Sequence, residues 1–275
     1  MATIEDWKGR VGREWADKAD AMEGLLGPIG AEGMAALGSV SGHSVLDLGC
    51  GAGDTALALA ARGAEVTGVD VSEDLLAVAR TQPGAERVTW RLADASSATF
   101  EQPFDALHSR CGAMFFDDPA AGWAHLRTQV TPGGQLAVSC WRAASLNGWV
   151  TIPLAAARPV LGEEATQAPP AGGAGPFGWA DEAYVRDLLT GAGWSDVALT
   201  PVDREAAIST GSDPDPVARA TAFTLRIGIL ASRLRERSEE ERAAVADALA
   251  AAFAPLVREG AVRIPTAGWI VTARA

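Results

Sequence analysis

Apolar residues fall along this chain in short runs set between stretches of helical spacing. Trp7, Val11 and Trp15 recur every fourth residue, which puts them on one face of a helix in an amphipathic region reaching to about residue 43. The apolar run Val45 to Leu48 then predicts a buried strand, and Asp54 or Thr55 can cap the helix ALALAAR that follows. Glu65 to Val69 predicts a second strand, and Ser72 opens a second helix, SEDLLAVAR. Val88 to Leu92 and Phe104 to His108 predict strands three and four, with a helix near 120–130 after them. The turn TPGG at 131–134 leads into strand five, QLAVSCW. Strands alternating with helices at this spacing predict an α/β fold with a doubly wound, mainly parallel sheet. Such sheets bind ligands at the carboxyl ends of their strands.

The alternation lapses over 142–178, where Pro153, Pro159, Pro169, Pro170 and Pro176 accompany a GGAG stretch. This predicts a long irregular segment acting as a lid. A helix from about Ala180 to Thr190 follows, closed by Gly191 and Gly193, and then strand six near Asp196 to Val202. Two helices come next. The second opens with SEEER, in which Ser238 and Glu241 fit a capping box. WIVTARA reads as the last strand.

Composition narrows the classes. The 275 residues are 48% hydrophobic and 21% charged, enough for a sizeable core in one large domain. A formal net charge of −12 repels nucleic acid phosphates and anionic lipid headgroups, so no nucleic acid or membrane partner is expected. Cys50, Cys111 and Cys140 form neither a disulfide framework nor a zinc-binding pattern; a reducing cytoplasm and no metal are expected. The start, MATIEDWKGR, lacks the apolar stretch of a signal peptide, and no apolar run is long enough to cross a bilayer.

The chemistry concentrates in VLDLGCGAGDT, residues 45–55. Gly49 and Gly51 fit the first two positions of the dinucleotide pattern G-x-G-x-x-G, but the third falls on Asp54, whose carboxylate at a helix start opposes a pyrophosphate. The phosphate loop fails as well, because no lysine follows. Asp47 adds a second carboxylate, so the turn suits a cationic ligand. Asp70, at the end of strand two, can accept hydrogen bonds from two ribose hydroxyls. A positively charged nucleoside without pyrophosphate satisfies these conditions, and S-adenosyl-L-methionine is one. Asp94, in RLADAS, could accept from an adenine amino group.

These blocks, with VTGVDVSEDLLAVAR, FDALHSRCGAMFF and TPGGQLAVSCW, together resemble the class I S-adenosylmethionine-dependent methyltransferases over roughly residues 44–141. The resemblance implies a seven-stranded Rossmann-like sheet with its last strand antiparallel. It implies that Gly49 and Gly51 pass under the methionine part of the cofactor and that Asp47 anchors its ammonium. Asp70 would hold the ribose, Val71 would lie against the adenine, Asp94 and Ala95 would meet its edge, and Ser109 and Arg110 would lie beside the methionine end. The expected division is an N-terminal helical lid over 1–43, whose Trp7 and Trp15 close over the cofactor with Trp15 in contact with it, a cofactor-binding core over 44–141, an acceptor-side lid over 142–178 and the rest of the core with a helical insertion over 179–275.

Methyl transfer needs alignment and exclusion of water, and for a hydroxyl or thiol acceptor also loss of a proton. Strand four carries the candidates: His108 as base, against a role as a buried packing residue, and Arg110 as a clamp for a carboxylate, against an ion pair with Asp117 or Asp118. Cys111 reads as a packing residue, and His43 and His125 as remote from the chemistry. Trp141 and Trp149 flank the 142–178 segment and suit an aromatic or cationic acceptor. The expectation is a small-molecule methyltransferase, monomeric or homodimeric. Its rivals are a module that binds the cofactor without catalysis and a nicotinamide-dependent oxidoreductase.

Overall fold

The computed structural model describes residues 4–210 and 214–275, so residues 1–3 of the expected N-terminal lid lie outside the described residues. The chain begins with α1 (Ile4–Lys8), α2 (Arg10–Ala16) and α3 (Ala19–Ala36). The single helical face of Trp7, Val11 and Trp15 is thus broken at Gly9, yet the two indoles still meet edge to face at 5.0 Å. The alternating part follows as β1 (Ser44–Leu48), α4 (Asp54–Ala61), β2 (Glu65–Asp70), α5 (Glu73–Thr81), β3 (Val88–Leu92), β4 (Phe104–Arg110), α6 (Pro119–Thr128) and β5 (Val130–Trp141). Ser72 caps α5 by accepting from the Leu75 N–H, and Asp118 caps α6.

The segment expected to be irregular contains a helix, α7 (Gly148–Leu161), with Pro153 and Pro159 inside it. Each proline removes one helical hydrogen bond. Tertiary packing outweighs that loss: Gly148, Val150, Pro153, Leu154, Ala157 and Leu161 form a buried stripe at helical spacing. The helix start is pinned by fully buried Asn147, which donates to the carbonyls of Arg142, Ala143 and Ala267 and accepts from the Ala267 N–H. The chain continues as α8 (Glu182–Gly191), β6 (Ser195–Ile208), α9 (Pro216–Thr224), α10 (Ile229–Leu234), α11 (Glu239–Phe253), β7 (Val257–Arg258) and β8 (Ala261–Arg274). The Ser238–Glu241 capping box on α11 is present.

The sheet runs β3-β2-β1-β4-β5-β8-β6, with β7 paired to β8 alone. Strands β1 to β5 are parallel, and β8 inserts antiparallel between β5 and β6. The expected antiparallel last strand is therefore present, longer than WIVTARA and joined by one short extra strand. One face of the sheet packs on α6 and α8 around Trp123, Trp179 and Trp194. The other carries α4 near β1 and β2, and α3 across β4 and β5. Under α3, period-two alternation lines up Asp47, His108, Arg110 and Ser139. Helix α3 comes close to this polar row because it presents glycines there. A Cβ on Gly30 would stand 2.4 Å from Arg110 Cδ, and one on Gly33 would stand 3.2 Å from Ser139 Cβ.

Candidate cofactor and acceptor site

Strand β1 ends in the glycine turn. Gly51 has φ +55, a left-handed value that favours glycine, and a Cβ there would meet no atom within 4 Å. The space above it is therefore open to a ligand. Its N–H donates 2.9 Å to Asp70 Oδ2, while the Ser72 N–H donates 2.9 Å to Asp70 Oδ1. The Asp70 carboxylate is thus clamped between the turn and α5, with lone pairs left over on both oxygens. Burial pushes its pKa above the usual carboxylate value, and the N–H groups of Ser72, Gly51 and Val71 hold it down in part.

A cavity of about 140 Å³ opens beside this carboxylate. It is bordered by Trp15, Gly49, Asp70, Val71, Asp94 and Ala95, so the structure brings these six predicted residues together. Asp94 is set by its own turn, accepting from the Ser96 N–H and hydroxyl. An open glycine turn and a clamped acceptor suit a nucleoside with a cationic tail. S-adenosylmethionine fits this cradle better than a pyrophosphate does.

Other predicted residues stand behind the cavity. Asp47 is fully buried and does not border it. Its Oδ2 accepts from Thr55 Oγ1 at 2.6 Å, and its Oδ1 lies 2.8 Å from His108 Nδ1. Thr55 is the residue that reaches the cavity, so Asp47 can act on a ligand only through it. Ser109 points to the opposite face and donates to the Leu48 carbonyl at 2.8 Å, tying β4 to β1 instead of lining the site. His108 does share a face with Arg110, but it is fully buried beneath α3 and does not border the cavity. The reason is its level in the strand: α3 covers β4 at His108, and only Arg110, two residues on, clears the strand end. The role of base expected for His108 is not supported by this placement.

Arg110 does border the cofactor cavity. Its guanidinium pairs with Glu23 of α3 at 2.6 Å and Asp54 of α4 at 3.3 Å, not with Asp117 or Asp118. Burial lowers its pKa, but the two carboxylates outweigh that and hold it above the usual value. His43 is exposed, and His125 is bonded to the Ala98 carbonyl, both away from the site as expected.

A second and larger cavity, about 350 Å³, lies beyond the first. Trp7, Trp15, Leu26, Cys111 and Phe115 border both. Trp7 packs edge to face on Phe115 at 5.3 Å as well as on Trp15, forming a roof over the junction. Trp141 and Trp149 line the second cavity. Sequence reasoning missed the place of Cys111. It sits at the junction with φ +57, and burial pushes its thiol up to about 12. The signal was present, since Cys111 follows the strand-four end within FDALHSRCGAMFF; Leu26, on an amphipathic helix, carried none.

The strand order and the clamped acidic residue at the end of β2 define a class I methyltransferase core. Residues 45–134 match the family model described as a methyltransferase domain. That segment is a class I S-adenosylmethionine-dependent methyltransferase domain, and S-adenosylmethionine is its cofactor. An uncharacterised protein of Mycobacterium tuberculosis (strain H37Rv) is 30% identical over 180 residues, covering 64% of this chain and 63% of that protein. The chain thus spans less than two thirds of the length of such relatives. A demethylmenaquinone methyltransferase of Clavibacter sepedonicus is 36% identical over 105 residues, 38% of this chain and 43% of its own. The solved YcgJ protein of Bacillus subtilis aligns with a TM-score of 0.54 at 17% identity, covering 90% of this chain and 97% of that one, which speaks for the fold alone.

Proposed function

We propose that this protein transfers a methyl group from S-adenosylmethionine to a small-molecule acceptor. The observation that carries the reading is the pair of adjoining cavities with Trp7, Trp15, Leu26, Cys111 and Phe115 in common. The cofactor supplies an electrophilic methyl group on a sulfonium. Asp70 and Asp94 would hold the nucleoside, and Thr55, oriented by Asp47, would offer an oxygen to the ammonium. Arg110, bracketed by Glu23 and Asp54, would meet the methionine carboxylate or the acceptor. The Trp7–Trp15–Phe115 roof would keep water from the junction.

A small molecule suits the second cavity, which is concave and largely apolar. The net charge of −12 weighs against nucleic acid as the acceptor, and among the described residues no helix is long and apolar enough to cross a membrane. Free, mostly buried cysteines suit a reducing setting such as the cytoplasm. The test is calorimetry with S-adenosylhomocysteine and NAD, followed by a cofactor-turnover assay with a metabolite extract. Micromolar S-adenosylhomocysteine binding with extract-dependent turnover supports the reading. NAD binding in its place would point to an oxidoreductase, and binding without turnover to a non-catalytic module.

A further inference from the structure

The second cavity is mostly apolar, but its polar groups are few and differently placed. The Trp149 ring stacks on Phe177 at 5.4 Å with 15° between planes and leans on Trp141 at 5.4 Å. Its indole N–H is buried and finds no hydrogen-bond partner among the described residues. The Trp7 indole N–H, in the roof, is in the same condition.

The solvent side of the cavity is charged. Arg10 is neutralised there by Glu14, at 2.8 and 2.9 Å. Arg226 and Arg235 are exposed, border the same cavity, and pair with no carboxylate among the described residues. Asp6 borders the cavity as well, so its charged residues, Asp6, Arg10, Glu14, Arg226 and Arg235, come to one net positive charge on a chain of net charge −12. Guanidiniums read carboxylate or phosphate oxygens through paired N–H groups. At the junction with the cofactor cavity the shared residues offer no base, because the Cys111 thiol stays protonated at neutral pH.

We propose that the second cavity takes a flat, apolar acceptor that lies against the Trp141 and Trp149 wall and carries an anionic group that meets Arg226 and Arg235. The proposal rests on the methyltransferase reading for the word acceptor, but the binding site stands on its own geometry. Among the described residues, the five shared by the two cavities include no carboxylate or histidine, so the site suits a reacting atom that enters already nucleophilic, as an ionised oxygen does.

The probes are 6-hydroxy-2-naphthoate, 2-naphthyl phosphate and uncharged 2-naphthol, titrated by calorimetry with and without saturating S-adenosylhomocysteine. Either anion should bind at least about tenfold tighter than 2-naphthol, and the better of the two tells carboxylate from phosphate. The double variant Arg226→Gln/Arg235→Gln should lose that preference while its 2-naphthol affinity stays unchanged. Equal binding of anions and 2-naphthol, or an unchanged preference in the arginine variant, would overturn the proposal. The preference holding without any S-adenosylhomocysteine binding would sustain this site and sink the methyltransferase reading instead. S-adenosylhomocysteine binding without the preference would do the reverse.

Discussion

Asp70 holds the strongest position of any single side chain in the site, fixed by two backbone N–H groups and facing the cavity. Asp70→Ala should weaken S-adenosylhomocysteine binding by about 1.5–3 kcal/mol, as for hydrogen bonds to a charged acceptor. Calorimetry measures it, and an unchanged affinity would remove Asp70 from the site. Burial raises the Asp70 pKa, so the proton is taken up at a higher pH than by an ordinary carboxyl. Ligand hydroxyls need the ionised form. Affinity should therefore be full at neutral pH and fall on acidification, starting above the usual carboxylate range of about 4, and Asp70→Asn should abolish that limb. His108 behaves differently, because it touches Asp47 and no cavity. His108→Gln should lower stability to chemical denaturation by about 1–3 kcal/mol. It should leave the pH profile of turnover without a lost acidic limb; loss of that limb would restore His108 as a base.

Among the elements, the roof is built from α1 and α2, which are short and carry no more than one buried residue between them. Such helices are held by their contacts and not by their own propensity. With the 162–180 stretch beside the second cavity, they are the parts we expect to tighten around ligands. Amide exchange in residues 4–16 and 162–180 should slow when S-adenosylhomocysteine and an acceptor probe are both present, and equal exchange in both states would refute a lid. The elements also differ in how legible they were in the sequence. Strand β1 was readable as an apolar run that ends in glycines, β2 by the Ser72 cap after it, β5 by the TPGG turn, and β3 by the alternation of Val88, Trp90 and Leu92. Helix α7 was not, since Pro153 and Pro159 signal a break and the compensating stripe becomes visible only against its neighbours. The extension of β6 past Val202 was hidden by Asp203, Arg204 and Glu205, which are exposed on a two-stranded ribbon with β8 and show no apolar alternation. In the site, Asp70, Asp94 and the glycines follow from local spacing. The partners of Arg110 do not, because Glu23 and Asp54 lie on separate helices far apart along the chain.

For the molecule as a whole, the net charge of −12 sets the expected behaviour toward polyanions. No duplex or transfer RNA should bind at physiological salt in a gel-shift titration; tight binding that weakens steeply with added salt would overturn this. The two cavities are also divided unevenly along the chain. Residues of the domain match at 45–134 supply most of the wall around the cofactor, yet they contribute only Cys111, Met114 and Phe115 to the second cavity. The remainder of that wall comes from the N-terminal helices, from Trp141, Trp149 and Pro176, from Ile208 and from residues between 223 and 235. Heredity can therefore act on the two halves separately. Substitutions after residue 140 can reshape the second cavity while the first stays intact, whereas Trp7, Trp15 and Leu26 before residue 30 would change both. Two chains that agree closely over the central third can then differ in the second cavity, and a library confined to the segments after residue 140 is the natural place to vary it.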